Sequence, residues 1–213
     1  MCGIFAVLSR DAQALQKFNF SNAVELIKHR GPDSNGIYED DCCYLGHTRL
    51  AILDIGAHAN QPFRYKNLVM VYNGEVFNFG DLSRELRASG YTFDTQSDTE
   101  VVLKAYDFWG NDCFKRFNGM WALAIYDVTR GDLVVARDRF GQKPLFCHFA
   151  KDAVYFSSES QQLVPYAGAN PDLQLLRQFL REGNYLSDGR SFFKGIEEFP
   201  KGCVATIRQG KLA

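Results

Sequence analysis

The chain has 213 residues, of which 46% are hydrophobic and 14% aromatic. This size suffices for one compact domain with a substantial core, or for two small ones. The 24 basic and 25 acidic side chains give a net charge of −1 without a basic run, which argues against nucleic-acid or membrane partners. The N-terminal segment MCGIFAVLSR lacks the positively charged start of a secretion signal, and no apolar run could span a bilayer, so we expect a cytoplasmic location.

The cysteines and histidines do not have the spacing of a metal site. The four histidines are scattered, and no Cys-x-x-Cys pair occurs. A low cysteine density without a secretion signal also argues against a disulfide scaffold. We therefore predict no metal and free thiols at the six cysteine positions, which are 2, 42, 43, 113, 147 and 203.

The predicted elements begin with a buried strand at residues 3–8, which are short and apolar. A helix is predicted over residues 22–29, because Asn22 and Glu25 have capping-box spacing and Gly31-Pro32 follows as a stop signal. Two further strands are predicted in this half of the chain, at residues 43–48 and 68–73.

Turn and capping signals follow the third predicted strand. Asn73-Gly74 is a strong hairpin-turn signal. Leu82 and Leu86 indicate a short helix, and Ser97 with Glu100 forms a capping box that opens another helix.

The second half of the chain is richer in β-type segments. A helix is predicted from Asn170-Pro171 to about Leu180. Hairpin-spaced strands with helices between sets predict an α+β fold of mainly antiparallel sheets covered by helices. No glycine-rich phosphate loop occurs, so this segment alone is not expected to bind ATP or a dinucleotide. The strands are predicted at residues 121–128, 132–137, 145–149, 153–157 and 204–208.

Cys2 directly follows the initiator methionine, and removal of Met1 would place a thiol and an α-amine on one residue. An α-amine has a pKa of about 8, so it can act as a general base near neutral pH. Cysteine is a strong nucleophile once deprotonated. A nucleophile–base pair is therefore possible at Cys2 without a histidine, although a buried cysteine that only packs would have the same sequence.

Eight motifs in order resemble the class II glutamine amidotransferases, which have an N-terminal nucleophile fold. Arg-Gly-Pro-Asp at 30–33 is most similar to the asparagine synthetase branch. The closing segment FFKGIEEFPKGCVATI is also similar to that branch, where it leads toward a synthetase domain. The motifs are MCGIF, HRGPDSNG, LGHTRLAILD, YNGEVFN, SDTE, GMWALAIYD, RDRFGQKPLF and SSE.

The resemblance implies a four-layer αββα sandwich of two antiparallel sheets and a set of catalytic roles. Cys2 would attack the amide carbon of glutamine, with its own α-amine as the base. Asn73 and the backbone N–H of Gly74 would form the oxyanion hole. By local pattern alone, Asn73-Gly74 is an ordinary turn.

The resemblance also implies how the rest of glutamine is held. Arg49 would bind the α-carboxylate, a role that suits the planar fork of a guanidinium. Asp98 and groups around Glu75 would bind the α-ammonium, and Leu50 and Ile52 would complete the substrate site. Taken singly, Arg49 could form an ordinary salt bridge and Asp98 could simply stabilise a helix N-terminus.

The resemblance further implies that residues 1–213 form a single glutaminase domain at the N-terminal side of a longer synthetase. The segment from about 195 to 213 would lead toward that missing domain, which could also be a separate subunit. We expect no cofactor in this domain, with ATP and Mg²⁺ confined to the synthetase.

Two other functions stay open from the sequence. The same N-terminal cysteine could cleave a different amide, or the domain could bind glutamine without turning it over. Arg49 and Asp98 favour glutamine, because together they match the zwitterion of a free amino acid.

Overall fold

The computed structural model describes residues 1–11, 15, 19–52, 56–183, 189–208 and 211–212 of the chain. Within these residues the strands form two six-stranded sheets, and every pairing between neighbouring strands is antiparallel.

The first sheet has the strand order β10-β8-β9-β1-β3-β2. Its central strand β1 pairs with β3 on one side and with β9 on the other, so the N-terminal segment is held in the middle of the sheet. The strands are β1 (Gly3–Ser9), β2 (Ser34–Glu39), β3 (Cys43–Arg49), β8 (Phe146–Phe149), β9 (Ala153–Ser157) and β10 (Glu197–Glu198).

The second sheet has the order β12-β11-β7-β6-β5-β4. Its longest pairing joins β5 and β6 over nine residue pairs, from Leu68 with Asp127 to Val76 with Gly119. The strands are β4 (Phe63–Tyr65), β5 (Leu68–Val76), β6 (Gly119–Asp127), β7 (Asp132–Arg137), β11 (Val204–Arg208) and β12 (Lys211–Leu212).

Helices cover the outer faces of both sheets. Short 3₁₀ turns extend or join them at Lys28–Arg30, Ala57–Ala59, Gly110–Asp112 and Ser160–Leu163. The described α-helices are α1 (Ser21–Glu25), α2 (Phe79–Ala88), α3 (Asp98–Trp109), α4 (Cys113–Arg116), α5 (Val164–Ala167) and α6 (Leu173–Glu182).

Three hydrophobic cores lie between these layers. The central core joins the inner faces of the two sheets, with Ile4 and Ala6 of β1 in one cluster with Val71 of β5. A second core packs α2, α3 and α4 against the outer face of the second sheet. A third packs α1 and α5 against the outer face of the first sheet. The predicted αββα sandwich of two antiparallel sheets is therefore confirmed.

The sequence located most strands to within one or two residues. Strand alternation and apolar runs found β1, β3, β6, β7, β8, β9 and β11, together with helices α2 and α3. The predictions did not include β2, β4, β10 or β12. The first two are short or largely exposed strands, and β10 and β12 have two residues each, so their apolar pattern is weak.

The Asn73-Gly74 turn prediction is wrong. Both residues lie inside β5, where Asn73 pairs with Ala122 and Gly74 with Trp121. A Cβ atom on Gly74 would lie 2.6 Å from the carbonyl oxygen of Met120. Glycine is required here for the close approach of two strands, and not for a turn.

The helix predicted over residues 22–29 is divided into α1 and a 3₁₀ turn. The capping box proposed for Asn22 and Glu25 is wrong, because Phe20 occupies the N-cap position without a side-chain hydrogen bond. Glu25 instead forms an exposed salt bridge with Lys28, at 3.0 Å. The last predicted helix starts later than expected, at Leu173, where Asp172 caps it.

The capping box at the start of α3 is half correct. Ser97 is the N-cap, and its hydroxyl accepts the N–H of Thr99 at 3.2 Å. Glu100 does not return to Ser97. Its carboxylate accepts the N–H of Thr95 and pairs with Lys104 at 2.6 Å, in a buried cluster.

The cysteines and the helices of the described residues can be compared with what the composition led us to expect. All six cysteines are free thiols. Across the described part of the chain, no helix combines the length and apolar character that crossing a membrane requires.

Candidate active site

One cleft contains all eight residues predicted for the site. It has about 660 Å³ of empty space, including its open mouth. Segments far apart in sequence meet there, because β1 and β3 are neighbours in one sheet, β5 belongs to the facing sheet, and α3 begins beside β5. The predicted residues in its lining are Cys2, Arg49, Leu50, Ile52, Asn73, Gly74, Glu75 and Asp98.

Cys2 lies immediately before β1 and is held from two sides. Its sulfur accepts the N–H of Leu50 at 3.4 Å and lies 3.7 Å from the carbonyl oxygen of the same residue. Its own carbonyl oxygen accepts a hydrogen bond from Nε of Arg30 at 3.0 Å. Arg30 is fixed in turn by a 3.0 Å ion pair with Glu159. The thiol is thus anchored to a core strand with its sulfur in the cleft.

Met1 is present in this chain and also lines the cleft. The nitrogen of Cys2 is therefore part of a peptide bond here. A peptide nitrogen cannot act as a base, so the α-amine chemistry predicted for Cys2 needs the chain without Met1.

The N–H groups of alternate residues of β5 point to the edge that faces away from β6, and two of them have side-chain partners. Tyr72 donates to Oε1 of Gln61 at 2.6 Å, and Val76 donates to Oδ2 of Asp98 at 3.0 Å. Alternate residues of a strand direct their N–H groups to the same side. The N–H of Gly74 therefore points to this same edge, away from β6 and between the other two. No described residue accepts it, and Gly74 lines the cleft.

The side chain of Asn73 faces the space between the sheets and is 1% exposed. Among the described residues its Nδ2 has no hydrogen-bond partner. Buried amide groups are nearly always paired, because an unsatisfied one costs about 1–3 kcal/mol. Two adjacent residues thus each present an uncommitted N–H donor to the cleft that contains the Cys2 thiol.

Arg49 closes the cleft from the end of β3 and is 6% exposed. Its Nη1 donates to the carbonyl oxygen of Gly56 at 2.8 Å and to Oδ1 of Asn60 at 2.7 Å, which fixes the orientation of the guanidinium. Leu50 contributes its backbone to the Cys2 contact. Ile52 is 71% exposed and lies at the mouth of the cleft.

Asp98 supplies a buried carboxylate at the start of α3. Its Oδ2 accepts the hydroxyl of Tyr72 at 2.7 Å and the N–H of Val76. Burial raises the pKa of Asp98, and the charge of nearby Glu75 adds to the rise, against the opposing hydrogen bonds. A second carboxylate close by and a raised pKa make this end of the cleft suited to a cationic group.

The sequence did not single out four residues that contribute to the cleft or hold its parts. Gln61 and Tyr72 fix the edge of β5, and Arg30 fixes Cys2. Lys143 is only 7% exposed and lines the cleft. Arg30 lies within the motif HRGPDSNG, but its local pattern indicated only a helix end. Gln61 has no local signal beyond the proline that follows it.

Among the described residues, no group of three or more histidine, cysteine, aspartate or glutamate side chains could hold a metal ion. The groups that the cleft offers for chemistry are the side chains and backbone groups named above.

Comparison with known proteins identifies relatives over the whole chain. The chain is 36% identical over 218 residues to asparagine synthetase [glutamine-hydrolyzing] 3 of Bacillus subtilis, covering all of this chain and 36% of that protein. It is 37% identical over 172 residues to asparagine synthetase B [glutamine-hydrolyzing] of Escherichia coli, covering 78% of this chain and 30% of that protein. The chain thus spans about a third of the length of the curated relatives it matches.

Solved structures support the fold. The glutamine phosphoribosylpyrophosphate amidotransferase of Bacillus subtilis superposes with a TM-score of 0.71 at 20% identity, covering all of this chain and 48% of that one. A structure described as the allosteric regulatory enzyme of purine biosynthesis superposes with a TM-score of 0.68 at 18% identity, covering 99% of this chain and 48% of that one. The glutamine amidotransferase domain family matches residues 1–213, and the chain belongs to that family.

Proposed function

We propose that this domain, once Met1 is removed, hydrolyses glutamine to glutamate and ammonia through a thioester on Cys2. The observation that carries the proposal is the pair of uncommitted donors in the cleft that contains the thiol. The side chain of Asn73 and the N–H of Gly74 reach the cleft without a partner among the described residues, as a preorganised oxyanion hole requires.

The reaction can be written with these groups alone. The α-amine of Cys2 takes the thiol proton, and the thiolate attacks the amide carbon of glutamine. Asn73 and Gly74 donate hydrogen bonds to the resulting oxyanion. As the oxyanion collapses, the C–N bond breaks and the protonated amine returns a proton to the departing nitrogen, releasing ammonia. Water, deprotonated by the same amine, then attacks the thioester, releases glutamate and restores the Cys2 thiol.

The charges in the cleft favour a free amino acid over other amides. Arg49 offers a fixed guanidinium to an α-carboxylate, and Asp98 with Glu75 offers negative charge to an α-ammonium. An acyl chain without these two charges would leave buried Arg49 and Asp98 without a counter-charge from the substrate, at a cost in binding.

We further propose that the ammonia serves an ATP-dependent, amide-forming domain like that of asparagine synthetases. The names of the relatives support this, as does the length of those proteins beyond the matched third. This partner would follow in the same chain or belong to a separate subunit. ATP and Mg²⁺ would bind there, and the glutaminase domain itself would need no cofactor.

The experiment is a glutamate-release assay on protein whose intact mass shows loss of Met1. Cys2→Ala is expected to abolish glutamate formation. Cys203→Ala is the matched control, because Cys203 is also a free cysteine but is exposed and outside the cleft. Undiminished activity in Cys2→Ala protein, or in protein that retains Met1, would contradict the proposed nucleophile and base.

A further inference from the structure

The β4–β5 pairing ends in an unusual way beside the proposed oxyanion hole. β4 begins at Phe63, which pairs with Met70, and the same register places Gln61 beside Tyr72. At this position the side chain of Gln61, and not the backbone of a paired strand, forms the hydrogen bonds to β5. Its Oε1 accepts the N–H of Tyr72 at 2.6 Å, and its Nε2 donates to the carbonyl oxygen of Tyr72 at 3.1 Å. Gln61 is 7% exposed, so both bonds are shielded from water.

A second side chain reaches the same carbonyl. Nε2 of His47 lies 3.2 Å from the Tyr72 oxygen, and His47 is fully buried. Burial lowers the pKa of His47 to about 3, so the ring is neutral at physiological pH. A carbonyl oxygen can only accept, so the neutral ring must carry its proton on Nε2.

These contacts decide which N–H of the β5 edge is left for a ligand. If β4 continued as backbone past Tyr72, the next N–H on this edge, that of Gly74, would be covered by a strand. Because a side chain ends the pairing, the Gly74 N–H stays open, with Gln61 on one side and Asp98 on the other. The peptide between Tyr72 and Asn73 is fixed by Gln61 at this edge and by β6 at the other.

We infer that Gln61 is a positioning residue for the oxyanion hole, which ends the β4–β5 ladder and fixes the Tyr72 backbone so that Asn73 and Gly74 point at the reacting carbonyl. Both polar groups of its amide are engaged by Tyr72, so its effect passes through the backbone. The inference rests on the proposed glutaminase function and deepens it.

The inference predicts a loss in kcat rather than in substrate binding. Gln61→Met keeps the length of the side chain but removes both hydrogen bonds. We expect kcat to fall by roughly ten- to a hundredfold, as displaced catalytic groups typically cause. KM for glutamine should change less than about threefold, because Arg49 and Asp98 are untouched. An unchanged kcat, or a loss confined to KM, would overturn the inference.

Gln61→Glu gives a readout that a merely structural role would not produce. In this variant an ionised carboxylate would place an oxygen against the Tyr72 carbonyl, whereas the protonated carboxyl group restores the donor. The ratio of variant to unmodified kcat should therefore rise as the pH falls. Both proteins share the other titratable and charged groups around this position, so the ratio isolates the substituted side chain. These groups are the neutral His47 and, in the cleft lining, Cys2, Arg49, Glu75, Asp98 and Lys143. A ratio independent of pH would overturn the inference.

Asn78 offers a matched control outside the cleft. Its side-chain amide also makes two backbone hydrogen bonds, since Oδ1 accepts the N–H of Asn118 at 2.8 Å and Nδ2 donates to the carbonyl oxygen of Arg116 at 3.0 Å. Asn78→Asp should leave the kcat ratio independent of pH. The same pH dependence in both variants would refute a specific role for Gln61.

Amide hydrogen exchange separates this inference from the proposed function. In Gln61→Met, exchange at the Tyr72 N–H should accelerate by at least tenfold, while the N–H of Asn73, on the β6 side, stays protected. If the unmodified protein releases no glutamate, the proposed function fails and this measurement still tests the positioning of the Tyr72 backbone. Unchanged protection at Tyr72 would overturn the inference even in an active enzyme.

Discussion

Replacing Asp98 with asparagine should weaken glutamine binding without weakening the fold. Asparagine has the same shape and can still accept the hydroxyl of Tyr72 and the N–H of Val76 on one oxygen. It removes the negative charge proposed to hold the α-ammonium. A hydrogen bond to a charged group contributes about 1.5–3 kcal/mol, which corresponds to a rise in KM of roughly ten- to a hundredfold.

The stability of the free enzyme should respond in the opposite direction. The folded protein holds a proton on Asp98 more tightly than the unfolded chain, because burial raises its pKa above 3.8. Its contribution to stability is therefore fully present below that pH and is lost as the pH rises through the folded pKa. Once ionised, the buried carboxylate is less favourable in the fold than a neutral side chain that keeps its hydrogen bonds, so Asp98→Asn should unfold at an equal or higher temperature.

Asp138 provides the contrast. It is fully buried and accepts backbone N–H groups from Phe140, Gln142, Lys143 and Trp121. In Asp138→Asn the side-chain NH₂ group would take the place of one carboxylate oxygen and would point at backbone N–H groups that need an acceptor. The free energy of unfolding should therefore fall by about 1–3 kcal/mol. Steady-state kinetics and thermal unfolding with and without glutamine measure both effects. An unchanged KM in Asp98→Asn, or a fold weakened as much as in Asp138→Asn, would refute the reasoning.

Two further substitutions test the backbone and the carboxylate site. Gly74→Ala would place a Cβ 2.6 Å from the carbonyl oxygen of Met120, so kcat should fall by about a hundredfold. Gly80→Ala, at an open helical position, should leave kcat unchanged and add about 0.5–1 kcal/mol of stability; equal effects of the two would contradict the close-approach argument. Arg49→Lys should raise KM by roughly tenfold at nearly constant kcat, because a lysine cannot both keep the contact with Asn60 and grip a carboxylate with two donors. Glutamine titrations that give the same KM for lysine and arginine would remove Arg49 from the substrate site.

The fold was predictable where its signals are local. Short apolar runs and period-2 alternation located most strands, because each inner face must be buried against the other sheet. Caps were less predictable, since Asn22 and Ser97 carry similar local patterns and only Ser97 is an N-cap. The difference lies in what surrounds each segment, which a four-residue window does not contain.

That the residues of the candidate site would line one cleft was predictable only from the set. Cys2, Arg49, Asn73 and Asp98 each have an ordinary local interpretation, and their meaning came from the ordered motifs. The structure shows why they belong together, since neighbouring strands and the start of one helix meet at the cleft. Gln61 escaped detection because its partner, Tyr72, is eleven residues away in the sequence, on β5.

The register of β5 links the core to the proposed chemistry. Along this strand Tyr72 and Val76 face the helices, whereas Val71 and Asn73 face the other sheet. If β5 shifted by one residue relative to β6, Asn73 would leave the cleft and the N–H of Gly74 would point toward β6, where it would join the hydrogen bonds between the two strands. Close contact resists such a slip, because a Cβ on Gly74 would collide with Met120 and one on Gly119 would collide with the backbone at Glu75. The glycine that suggested a turn therefore serves two purposes, since its missing side chain sets the strand register and its N–H faces the substrate cleft.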